Sequence, residues 1–283
     1  MFDGILLCMR LTSETTADGV CQQHFFIEHS FIEHSLLDAP GSPDGSADSS
    51  AAGSPDDVPG VLWTPEGAVG PRPLILLGHG GGAQHKATPG HLERARRYVT
   101  ECGFAVAAID APGHGERPAD DGVERMRAPF AEARAAGRSI VPLIADFNAA
   151  MARRVVPEWR ATLDALAKLE HVGAGPVGYR GVSMGAGVGI PFVADEPRIT
   201  AAVFGLIGGA LAATVARITV PVEFVLQWDD ELVPRESGLA LFEAFASAEK
   251  TLHANPGLHG QTPAFETDSE IRFFARHLTD RQA

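Results

Sequence analysis

Cysteine is scarce in this chain: Cys8, Cys21 and Cys102 are all there is in 283 residues. Three scattered thiols cannot build a disulfide framework or a cysteine-ligated zinc site, both of which need clustered partners, and a reducing compartment suits them. Positive charge is also short, with 23 Lys and Arg against 36 Asp and Glu and a formal charge of −13. The resulting field repels polyanions, which argues against nucleic acid or anionic lipid as partners and mildly favours neutral or cationic substrates. No apolar run is long enough to span a bilayer. The start, Met1-Phe2-Asp3-Gly4-Ile5-Leu6-Leu7-Cys8-Met9-Arg10, lacks a basic leader, so no membrane anchor or signal peptide is expected and the default location is cytoplasmic.

The 45% hydrophobic content is enough for a substantial core. The first 57 residues read as a strand region followed by a flexible linker, and residues 58–283 as the main domain. Phe26-Ile27-Glu28-His29-Ser30 is copied directly by Phe31-Ile32-Glu33-His34-Ser35. His24, His29 and His34 could be imagined as metal ligands, but a spacing of five matches neither one helix face nor one strand face, so a first strand with a local duplication is the expectation. Residues 38–57 are mostly Ser, Gly, Ala, Pro and Asp, too poor in apolar surface to offset their ordering entropy.

From Val58 the pattern alternates strands and helices, the signature of an α/β fold with a mostly parallel sheet covered on both faces. Strands are expected at Val61-Leu62-Trp63, Leu74 to Leu77, Ala105 to Ile109, Val177 to Val182, Ala201 to Phe204, Val222 to Leu226 and Thr251 to Ala254. Thr88-Pro89 should open a helix with Leu92, Ala95, Val99 and Cys102 on one face, ended by Gly103. Pro157 should open another carrying Trp159, Leu163, Leu166 and Leu169, and the closing helix carries Ile271, Phe274, Ala275 and Leu278. About forty residues, 117–156, exceed what a connection needs and are the candidate lid, inserted after the fourth expected strand. Part of its apolar content, Phe130 and Phe147 included, could line a substrate pocket.

Gly181-Val182-Ser183-Met184-Gly185 fits the G-x-S-x-G elbow, which holds a serine on a sharp strand-to-helix turn where larger flanking side chains would collide with the backbone. With 31 glycines in the chain, about 0.16 chance matches are expected, so context decides; an apolar strand precedes the motif and Ala186-Gly187-Val188-Gly189-Ile190 can begin a helix. A serine nucleophile needs a base and a group to orient that base. Among eleven histidines, His259 in Asn255-Pro256-Gly257-Leu258-His259-Gly260 follows the last expected strand, and Asp230 follows a buried one, so both emerge at the sheet's carboxyl edge. The chain order is Ser, Asp, His. The run Gly78-His79-Gly80-Gly81-Gly82 follows a buried strand and lacks both a dinucleotide-binding spacing and a Walker lysine. It suits an oxyanion hole instead, with Gly81 giving one backbone donor and Met184 the other.

Together these residues resemble the α/β-hydrolase family over roughly residues 58–278. Asp110-Ala111-Pro112-Gly113-His114-Gly115 is similar to the family's Asp-x-x-Gly-His-Gly turn, in which the resemblance makes His114 part of the turn and not the base. Asp230-Glu231-Leu232-Val233-Pro234 resembles its Asp-x-x-Val-Pro segment, which selects Asp230 over Asp229, and Pro256 to Gly260 resembles its histidine loop. The layout looks closest to dienelactone-hydrolase-like and prolyl-peptidase-like esterases, although dienelactone hydrolases use a cysteine where this chain has Ser183. Dehalogenases and epoxide hydrolases of the family use an aspartate there. Many relatives carry a cap after the sixth strand, whereas here only about ten residues, 208–217, occupy that place.

The resemblance implies a cytoplasmic serine esterase acting on a small or medium ester or lactone through an acyl-enzyme, with no cofactor and no metal. A thioesterase, a peptidase, a cofactor-free peroxidase and a non-catalytic ligand-binding homologue are the alternatives. The sequence leaves the oligomeric state open, a homo-oligomer included.

Overall fold

The structure, a computed structural model, describes residues 9–29, 32 and 54–279. Nine strands form one sheet in the order β1-β2-β3-β5-β4-β6-β7-β8-β9. They are β1 (Met9–Ala17), β2 (Val20–Ile27), β3 (Val58–Pro65), β4 (Leu74–Gly78), β5 (Ala105–Ile109), β6 (Val177–Val182), β7 (Ile199–Gly205), β8 (Val222–Gln227) and β9 (Lys250–Asn255). From β5 to β9 every neighbour is parallel, while β1, β2 and β3 join as an antiparallel edge.

That edge begins with a two-stranded hairpin where a single first strand was expected. Asp18 and Gly19 both take positive φ, 51° and 76°, which suits a two-residue turn matching the twist of paired strands. β2 then pairs with β3 over eight residues. The first copy of the Phe-Ile-Glu-His-Ser repeat completes β2 with Phe26 and Ile27; most of the second copy and of the linker lies outside the described residues. His24 contacts Gln22 across 2.9 Å.

The helices are α1 (Pro89–Cys102), α2 (Asp121–Ala135), α3 (Val141–Leu166), α4 (Met184–Asp195), α5 (Arg235–Ala244) and α6 (Glu266–Thr279), with short helical turns at Gly209–Leu211 and Ala212–Val215. Alternation along the strands splits the core in two. Leu74 and Leu76 of β4 pack with α3, α4 and α5 on one face, and Ile75 and Leu77 with α1 and α6 on the other. Strands buried on both faces read as unbroken apolar runs, as β4 and β5 do.

Three expectations change. Pro157 does not open a helix: it sits inside α3, which starts sixteen residues earlier with Pro142 in its first turn. The buried stripe Met151, Val155 and Trp159 runs straight through that position, so packing outweighs the one hydrogen bond proline removes. On α1 the buried face is His91, Ala95, Tyr98 and Val99, while Leu92 is exposed. The rotation is set by Tyr98, whose hydroxyl donates to the buried Glu270 carboxylate of α6 at 2.8 Å. Finally, the insertion at 117–156 follows the fifth strand in the chain, not the fourth, because the N-terminal hairpin supplies two strands; it consists of α2 and the first half of α3.

Arg94 and Arg180 also hold Glu270, at 3.0 and 3.1 Å. Burial alone would raise that carboxyl, but the two guanidiniums and Tyr98 outweigh it and keep it well below the ordinary value. One buried anion thus ties α6 to α1 and β6 on the face away from the insertion.

Candidate active site

Ser183 lies between β6 and α4 with φ 56° and ψ −124°, a conformation that non-glycine residues rarely adopt. The flanking glycines make that turn fit. A Cβ on Gly181 would stand 2.5 Å from the Gly185 carbonyl oxygen, and one on Gly185 only 2.4 Å from the Gly78 carbonyl oxygen. Tyr179 supports the turn from below by donating its hydroxyl to the Gly185 carbonyl at 2.8 Å.

His259 stands on the loop after β9 and Asp230 on the loop after β8. His259 Nε2 is 2.9 Å from Ser183 Oγ, and Nδ1 is 2.8 Å from Asp230 Oδ2. The structure therefore brings together three side chains up to 76 positions apart. Three consecutive acids seat the histidine loop: Asp229 accepts from the Gly257 N–H, Asp230 faces the imidazole, and Glu231 accepts from the His259 N–H. Asp230 Oδ1 also accepts from the N–H groups of Leu232 and Val233. Burial pushes the Asp230 carboxyl up, but the bond with His259 and those two amides outweigh it, so it lies below its ordinary value and is the anion a histidine cation needs.

Gly81 and Met184 meet beside the serine, where a Cβ on Gly81 would lie 3.7 Å from Met184 Cβ. Met184 opens α4, so its N–H belongs to the first turn, whose amides have no acceptor within the helix. The glycine loop is anchored by groups that sequence reasoning missed. Lys86 is buried and donates to Asp110 at 2.7 Å and to Glu116 at 2.6 Å, while Asp110 also accepts from the Lys86 and Glu116 amides. The Ala111 N–H donates to His79 Nε2 at 3.0 Å. Burial drives His79 down to about 4, which keeps that nitrogen an acceptor. The Asp-x-x-Gly-His-Gly turn is thereby bolted to the loop carrying Gly81. A buried lysine in a glycine-rich loop, two residues before a helix cap, was the available signal.

A cavity of about 340 Å³ opens over Ser183, His259, Gly81 and Met184, with Phe130 of α2 and Phe147 of α3 in its wall. Among the described residues one group could hold a metal ion, Glu223, His253 and Glu266, with ligand atoms within 4.8 Å of one another. It lies lower on the sheet and shares no residue with the cavity.

The chain matches no protein-family profile and no curated protein. Among solved structures it is similar to a cold-adapted esterase from an Arctic intertidal metagenomic library, in its PEG-bound form. Identity is 31%, with 94% of this chain and 98% of that one covered, at a TM-score of 0.69. The chain belongs to the α/β-hydrolase superfamily. An acetyl xylan esterase from Paenibacillus sp. R4 shares this hydrolase fold at 15% identity, covering 95% and 88% of the two chains, with a TM-score of 0.65. So does Est1E from Butyrivibrio proteoclasticus, solved with ferulic acid bound, at 16% identity, covering 79% and 96%, with a TM-score of 0.57. The hydrolase sheet carries its chemistry at the carboxyl ends of parallel strands, and here those ends are the loops after β4, β6, β8 and β9. No helix among the described residues is long and apolar enough to cross a membrane.

Proposed function

We infer that the protein is a carboxylic ester hydrolase whose nucleophile is Ser183. The observation that most supports this is the unbroken hydrogen-bonded line from Ser183 Oγ through His259 to Asp230, opening on a cavity. The similarity to the cold-adapted esterase points the same way.

In the proposed cycle His259 takes the proton of Ser183 as Oγ bonds to the carbonyl carbon, and the carbonyl electron pair moves onto oxygen. The Gly81 and Met184 N–H groups hold that oxyanion, Asp230 orients the imidazole and steadies its cation, and His259 returns the proton to the departing alcohol. Water then attacks the acyl-serine by the same route and releases the acid. α2 and the first half of α3 serve as the lid that keeps solvent from the acyl group. Cys21 and Cys102, both unpaired, suit a reducing cytoplasm.

The test is a panel of esters, lactones, thioesters and amides with the purified protein, alongside Ser183→Ala. We expect ester turnover, its loss in the variant with unchanged circular dichroism, and fluorophosphonate labelling of the wild type alone. Undiminished turnover in the variant would end the assignment.

A further inference from the structure

The cavity over Ser183 is lined mainly by apolar side chains, and two groups from the lid break that character. Arg134, in the last turn of α2, reaches its wall, and so does Asn148 of α3. Asn148 is buried, and its Nδ2 has no hydrogen-bond partner. It packs against the nucleophile helix, where a Cβ on Gly187 would meet Asn148 Cγ at 2.6 Å. That Nδ2 lies against α4, 2.7 Å from where the same Cβ would stand, and is closed off from solvent; a buried amide without an acceptor costs roughly 1–3 kcal/mol, so Asn148 is a packing residue of the wall and Arg134 is the group left to meet a ligand.

Arg134 borders three adjoining cavities, the central one and two of about 450 and 530 Å³, and Arg138 borders the larger of these. Among the described residues neither arginine forms an ion pair. Asp230 and Glu231 are the acids on that wall, and both are committed to the His259 loop. A cation in the last turn of a helix is stabilised by the helix dipole. That accounts for its sign but not for its place on the wall of the serine's cavity.

We propose that the preferred substrate is an ester bearing a carboxylate a few bonds from the scissile carbonyl, held by the Arg134 guanidinium. This rests on the ester-hydrolase reading and narrows it to a substrate class. It also sets local charge against global charge: a protein of formal charge −13 repels anions at long range, yet Arg134 stands in the cavity wall and acts at contact distance, inside the Debye length of about 8 Å. A guanidinium recognises a carboxylate through two parallel N–H bonds, a geometry that lysine does not reproduce.

The experiment compares kcat/KM for monoethyl succinate with that for ethyl 4-methylpentanoate, which replaces the carboxylate by a neutral group of similar shape. O-acetylglycolate against isobutyl acetate asks the same on the alcohol side. The wild type should favour at least one anionic probe over its neutral partner, and added salt should shrink that ratio. In Arg134→Gln the ratio should fall about 10- to 100-fold, the loss of one hydrogen-bonded charge contact, and in Arg134→Glu it should invert. The neutral probe reports any general damage to the cavity. A wild type that prefers the neutral probe on both sides, or a ratio indifferent to Arg134→Gln, overturns the proposal while leaving the esterase intact. If no probe is hydrolysed and Ser183 is not labelled by a fluorophosphonate, the ester-hydrolase reading falls with it.

Discussion

Two carboxylate–histidine pairs are built around β8 and β9, and only one turns its second ring nitrogen to a serine hydroxyl. Beyond the strand ends, His259 places Nδ1 at 2.8 Å from Asp230 and Nε2 at 2.9 Å from Ser183 Oγ. Lower down, His253 of β9 places Nδ1 at 2.7 Å from Glu266 of α6, but Nε2 lies 3.7 Å from Glu223 of β8, whose own oxygen accepts from Ser269 Oγ. That serine gives its proton to a carboxylate and not to an imidazole. In the proposed reading an acid–histidine pair is not in itself a catalytic device. What the second ring nitrogen faces, and whether a cavity lies over it, decides the matter.

Breaking the first pair should therefore stop chemistry, and breaking the second should cost stability. The largest effect is expected for His259→Ala, a loss of kcat on the order of 10⁵- to 10⁶-fold by analogy with serine-protease triads, measured on a neutral ester with circular dichroism as control. Asp230→Asn should follow at roughly 10⁴-fold, because the imidazole then takes the wrong tautomer. His253→Ala should leave kcat within a small factor of the wild type and lower the unfolding free energy by about 1–3 kcal/mol, since Glu266 and Glu223 lose their partner in a buried setting; an equal loss of kcat would erase the distinction drawn here.

The smallest effect concerns pH. Burial pushes Glu223 up to about 7 from an ordinary 4.5, although Ser269 and His253 oppose it. The folded protein then holds that proton to higher pH than the unfolded chain, so its contribution is full below pH 4.5 and is lost as pH rises through 7. Glu223→Gln should accordingly match the wild type in Tm near pH 5 and exceed it near pH 8. A constant Tm difference across that window would show that Glu223 does not titrate there.

The two pairs also differ in how legible they were. Ser183, Asp230 and His259 were readable because each sits on a loop with its own local pattern, a glycine elbow, an Asp-x-x-Val-Pro segment and a Pro-Gly-Leu-His-Gly loop. Nothing local marked Glu223, His253 and Glu266, which lie on strands and a helix start and meet only because β9 pairs with β8 in the register Val225 to His253. The same holds for Lys86 and Asp110, 24 positions apart, whose union fixes the loop of Gly81. The hairpin at Asp18-Gly19 was legible in principle, since that dipeptide between two strand-like runs is a strong turn signal. The run of α3 through Pro157 was not, because tertiary packing of Met151, Val155 and Trp159 overrode a local rule.

By itself the sequence determined the strand runs from β3 onward, the order of the loops at the sheet's carboxyl edge and the strained turn of Ser183, all of which follow from patterns a few residues long. Only the tertiary structure decided which face of α1 is buried, where the second histidine's nitrogens point, and that Arg134 and Asn148 reach the serine's cavity. Those depend on contacts between segments tens of residues apart, where free energy is set by packing and by the pairing of buried charges rather than by local propensity.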